Sequence, residues 1–145
     1  MGVRVMIAVG LFVMLAGVAL LMERRRRRDA PSQGRGVVPA QLDRGDFPRP
    51  DAAWIVVLFT STSCESCAGL YEKAAPLVSD DVAVVEIEFP EGRALHERYQ
   101  IDAAPLTLVA DAKGVVHASI LGAFNATELW TAVAALRAPE PDDAA

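Results

Sequence analysis

From residue 53 onward the apolar and polar positions change period several times, and each period defines an element. Residues 53–59 (Ala-Trp-Ile-Val-Val-Leu-Phe) are a continuous apolar run of strand length, the pattern of a strand covered on both faces. Residues 67–78 place Leu70, Ala74, Ala75 and Val78 at helical spacing, with Pro76 marking a bend or the last turn and Ser79-Asp80-Asp81 the break. Residues 82–89 begin apolar and end alternating, as a strand does whose far end is partly exposed. A short amphipathic helix over 91–99 turns Leu95 and Tyr99 to one side. Within 101–110, Pro105 opens an apolar strand, where its missing N–H is tolerated. After the turn at 111–114, residues 115–121 form its antiparallel partner. Asn125-Ala-Thr-Glu128 is a capping box for a last helix over 126–137, with Leu129, Val133 and Leu136 inward. The order β-α-β-α-β-β-α predicts an α/β fold with a central mixed sheet flanked by helices, the cysteine loop lying at the carboxyl end of a central strand.

The first 28 residues follow a different rule. Residues 5–22 are 18 consecutive apolar positions, about 27 Å as a helix, enough to cross a bilayer. Glu23 and the arginines at 24–28 follow directly, in place of the small residues of a cleavage site, so the run reads as one N-terminal transmembrane helix that is retained. Those five arginines, against Arg4 alone on the other flank, predict a domain on the cytoplasmic side, where a disulfide is a transient catalytic state. An extracytoplasmic domain is the alternative. Residues 29–51, rich in proline and glycine with little apolar period, read as a flexible linker, and 139–145 as a disordered acidic tail. That leaves 52–138 as the folded domain.

Charge narrows the partners. From residue 51 there are fifteen acidic and five basic residues, a formal charge of −10, which argues against nucleic acid and keeps the domain off anionic headgroups. The arginine run is a stop-transfer flank that also touches anionic lipid.

Cys64 and Cys67 are the only cysteines. Two intervening residues let their side chains meet in the first turn of a helix, where free N–H groups and the helix dipole favour a thiolate. Cys64, at the solvent-facing start, is the candidate nucleophile, and Cys67, one turn in, the resolving thiol. A zinc site would need two more ligands, and His96 and His117 stand too far apart in sequence to supply them, so no metal is expected. Two inert small residues is the remaining plain reading. Ser61, Thr62, Ser63 and Ser66 have no histidine–carboxylate partner at recognisable positions and read as cap or turn residues. Trp54 and Trp130 read as core or half-buried anchors, and the two histidines as solvated.

The ordered set Phe59…Cys64-Glu-Ser-Cys67, Tyr99-Gln-Ile-Asp-Ala-Ala104-Pro105-Leu-Thr107, Asp111-Ala-Lys-Gly114 and Gly122 resembles the thioredoxin superfamily over residues 52–138. The resemblance implies a thioredoxin-like fold, a cis Ala104–Pro105 bond facing Cys64, and substrate contacts from Ala104, Pro105 and Ser63. It also implies exchange with protein disulfides or dithiols through the CxxC pair, with no cofactor and with electrons from another dithiol protein. The chain departs from the family's usual Trp-Cys-Gly-Pro-Cys by having Ser63 before Cys64 and Glu65-Ser66 between the cysteines. The family's buried acid, a proton acceptor for the resolving thiol, falls at Leu58 in this register, which leaves Glu65 as the nearest carboxylate in sequence. The expected activity is thus that of a membrane-anchored thiol–disulfide oxidoreductase. The rivals are a redox-inactive binding module of the same fold and an extracytoplasmic reductase for apocytochrome or other exported thiols.

Overall fold

The computed structural model describes residues 10, 14–18 and 36–138 of the chain. Among these, no helix is long and apolar enough to cross a membrane; most of the 5–22 run lies outside them, with Gly10 and residues 14–18 helical. The tail at 139–145 lies outside them as well.

Four strands carry the fold: β1 (Trp54–Ser61), β2 (Val82–Phe89), β3 (Leu106–Asp111) and β4 (Val116–Leu121). They lie in the order β2-β1-β3-β4, with β2 parallel to β1 and both β1–β3 and β3–β4 antiparallel. β1 is central and apolar along most of its length because it is covered on both faces. Its odd positions Ile55, Val57 and Phe59 pack on one side with Leu42, Phe47, Tyr99 and Ile101. Its even positions Val56 and Leu58 pack on the other with Leu70, Ala74, Phe124, Leu129 and Val133. The helices divide accordingly: α1 (Leu70–Ala74) and α3 (Ala126–Arg137) cover the second face, α2 (Arg93–Arg98) the first.

Sequence periodicity locates every strand to within two residues and α3 at its observed bounds, where the Asn125 side chain accepts a hydrogen bond from the Glu128 N–H (2.9 Å). Three expectations need correction. Residues 36–53 are not a linker: Leu42, Phe47 and Ala52 are buried, Leu42 N–H donates to the Gly114 carbonyl (2.8 Å) and Val116 N–H to that of Ala40 (3.0 Å). Arg44 is buried with them, donating to the carbonyls of Ala52 and Asp111 (both 2.9 Å) and of Arg49 (3.0 Å). Tyr99 accepts from the Asp43 N–H and donates to Asp46, tying this segment to the end of α2. The folded unit therefore begins well before residue 52. Secondly, His96 is not solvated; it is 4% exposed, edge-on to Phe59 and Phe89, with Nε2 2.9 Å from the Ile87 carbonyl. The third correction, to the helix after the cysteines, concerns the site itself.

Candidate functional site

β1 delivers the chain to the carboxyl end of the central strand at Ser61, and a tight turn follows. Cys64 N–H donates to the Ser61 carbonyl (3.1 Å) and Cys67 N–H to that of Cys64 (3.2 Å), closing a 3₁₀ turn over Glu65–Cys67. In such a turn, side chains three apart eclipse one another, and this brings the two sulfurs together. Cys64 and Cys67 form a disulfide with a Cα–Cα separation of 5.4 Å, within the usual span. Cys67 is 7% exposed and Cys64 only half-buried.

The turn does not run on into the helix expected over 67–78. Ala68 takes ψ 130° and Gly69 the left-handed φ of 72°, a conformation glycine adopts at no steric cost, so α1 starts only at Leu70. It ends after five residues in a second 3₁₀ turn carrying Pro76. A five-residue helix that begins after the cysteines offers Cys64 little dipole. The polar atoms beside its sulfur must do that work instead.

One such donor is present. Ser66 Oγ lies 3.3 Å from Cys64 Sγ, and because a disulfide sulfur bears no hydrogen, the hydroxyl is the donor. The Ala104 carbonyl oxygen lies 3.7 Å from the same sulfur. The Ala104–Pro105 peptide bond is cis, Pro105 is buried, and Gly122 N–H donates to the Pro105 carbonyl (2.8 Å), pinning this loop to the end of β4. Of the residues singled out in the sequence, Cys64, Cys67, Ala104 and Pro105 are therefore brought together. Ser63 is exposed next to them, its hydroxyl 3.0 Å from that of Ser61.

A groove of about 280 Å³ opens beside the disulfide, lined by Cys64, Cys67, Tyr71, Glu72, Glu86 and Glu88 among others, none of them basic. Leu58 is wholly buried, so β1 offers no acid under the pair. An exposed carboxylate stands one strand over: Glu86 pairs in register with Leu58, and Thr60 Oγ1 donates to Glu86 Oε1 (2.8 Å). Glu65, the nearest in sequence, is exposed and does not line the groove. Sequence reasoning missed the positions of Ser66 and Glu86 beside the pair. The alternation Glu86-Ile-Glu88 does put both carboxylates on one face of β2, but only the register with β1 shows that this is the cysteine face.

No family model and no curated protein matches the sequence. Solved structures do. A point-mutant thioredoxin of Halobacterium salinarum NRC-1 superposes with a TM-score of 0.55 at 21% identity, over 63% of this chain and 81% of that one. The fold is that of the thioredoxins. Deadhead, the germline-specific thioredoxin of Drosophila melanogaster, matches at TM-score 0.52 and 26% identity over 60% of this chain and 84% of its own. Mitochondrial thioredoxin 3 of Saccharomyces cerevisiae, in its oxidised form, gives TM-score 0.50 and 22% identity over 59% and 81%. A thioredoxin-like fold bearing a Cys-x-x-Cys pair supports thiol–disulfide oxidoreductase chemistry.

Proposed function

We propose that the chain is a membrane-anchored thiol–disulfide oxidoreductase that reduces disulfides of a protein partner. The observation that carries this reading is the asymmetry of the pair: Cys64 Sγ reaches the surface beside the Ala104–Pro105 loop, and Cys67 is covered. In the reduced protein the Cys64 thiolate attacks one sulfur of the partner's disulfide, forming a mixed disulfide and releasing the other sulfur as a thiolate. Cys67 then attacks Cys64 Sγ, frees the second partner thiol and leaves Cys64–Cys67 oxidised. Two electrons pass to the partner. Two protons from the thiols end on its sulfurs, and the chemistry uses no cofactor.

Ala104, Pro105 and Ser63 hold the substrate. An extended segment laid against Ala104 gains strand-like hydrogen bonds that set its disulfide in line with Cys64, with the exposed Ser63 hydroxyl at the rim. The apolar run over 5–22 anchors the chain, the arginines at 24–28 hold the domain on the cytoplasmic side, and another dithiol protein returns electrons. The test is turnover of insulin disulfides by the full chain with dithiothreitol as donor. Cys64→Ser abolishes turnover if the reading is right; unchanged turnover leaves only a binding module.

A further inference from the structure

The path of residues 36–42 fixes which end of the domain the N-terminal segment leaves from. Gln41 forms an antiparallel bridge with Val115, and Val116 N–H bonds to the Ala40 carbonyl, so the segment runs along the outer edge of β4. At its other end Val37 N–H donates to Asp102 Oδ1 (3.3 Å), and a Cβ placed on Gly36 would lie 2.6 Å from Leu121 Cδ2. Leu121 pairs with Leu106, the residue after Pro105, and Asp102 stands two before Ala104. Gly36 therefore sits at the redox end of the sheet. The hairpin turn around Gly114 is at the opposite end, a strand length away, about 20 Å.

Between Arg28 and Gly36 there are seven residues, which span at most about 25 Å when fully extended. Read as a linker over 29–51, the connection would have let the domain roam. With residues 36–53 docked, only those seven residues separate the folded unit from the arginine run.

From this juxtaposition we infer that the Cys64–Cys67 groove faces the bilayer to which the chain is anchored, and that its partner is a membrane protein presenting its cysteines at the membrane surface. The inference rests on the anchored-oxidoreductase reading and adds an orientation to it. The formal charge of −10 from residue 51 onward keeps the domain from lying flat on anionic lipid, so the short connection, and not adhesion, sets the distance.

The test uses the full chain, reduced, in phosphatidylcholine vesicles doped with a phospholipid whose headgroup carries a pyridyl disulfide. The dithiol donates two electrons and two protons, yielding the protein disulfide, the lipid thiol and free pyridinethione, whose absorbance reports the rate. A twenty-residue Gly/Ser insert after Ala30 dilutes a membrane-facing site, so the lipid-linked reaction slows about sevenfold while reduction of a soluble pyridyl disulfide is unchanged. If the insert leaves the lipid-linked rate unchanged or raises it, the site faces away and the inference is overturned. Two other results overturn it at an earlier step: a chain that does not float with the vesicles removes the anchor, and one that floats but leaves the soluble disulfide intact removes the exchange chemistry.

Discussion

Ser66 is the side chain whose effect on Cys64 is most open to measurement. Its hydroxyl donates to a neutral disulfide sulfur in this state; once the pair is reduced, the same bond meets a full negative charge and strengthens. The carboxylates of the groove act the other way, disfavouring a second negative charge nearby. In a Cys67→Ser background, Ser66→Ala should move the pH midpoint of Cys64 alkylation upward by about one unit, and Ser66→Thr should restore it. An unmoved midpoint in Ser66→Ala would show that the hydroxyl is only a turn residue. The sequence did not reveal this contact, because whether the third residue of Cys-x-x-Cys points at the first sulfur depends on a 3₁₀ rather than an α turn, and composition carries no sign of which forms. His96 was misread for a related reason: a polar residue on a short helix looks solvated until the aromatic rings of Phe59 and Phe89 close on it. Burial holds its pKa below the ordinary value, against the opposing pull of the Ile87 carbonyl. The unfolded chain thus takes up the proton first as pH falls through about 6.5, and stability is lost from there down to the lower folded value. The urea midpoint should drop between pH 7.5 and pH 5, and drop less in His96→Phe; an equal drop in both would exclude His96 as the source.

At the scale of elements, legibility followed periodicity. Strands β1 to β4 and helix α3 were readable because each repeats its apolar positions at a period of two or near four, or is apolar throughout. The segment 36–53 has no such period: Leu42, Phe47 and Ala52 enter the core one at a time, and a buried arginine bonded to three carbonyls is invisible to a hydropathy pattern. What locks this segment down is a close approach of backbone to backbone at the β3–β4 turn. Gly114 has φ 81°, and a Cβ there would overlap the Leu42 carbonyl oxygen. Gly114→Ala should therefore cost about 2–4 kcal/mol in urea unfolding, through both the backbone strain and the lost docking. A change of a few tenths would mean that residues 36–53 are dispensable to the fold. The helix after the cysteines was overread for the opposite reason, since apolar spacing continued across Ala68–Gly69 while the backbone did not.

For the whole molecule, the sequence carried the fold because its chemical landmarks come in a fixed order: a strand, the cysteine pair, Ala104–Pro105, a hairpin turn and a closing helix. The site was legible as far as Cys64, Cys67 and that loop. The place of Glu86 in the groove was not, since register between β1 and β2 is a tertiary fact, and it puts Glu86 beside the position where β1 has Leu58. The proposed function has one central consequence, that Cys64 is the sulfur a partner meets. The direct measurement is mass spectrometry of the reduced full chain after mixing with a disulfide-linked peptide. Cys67→Ser should accumulate a mixed disulfide whose only modified residue is Cys64, while the wild-type chain passes through that state and ends as Cys64–Cys67 with both peptide thiols free. If Cys67→Ser yields no adduct, or Cys64→Ser reduces the peptide as fast as wild type, exchange at this pair is not what the protein does.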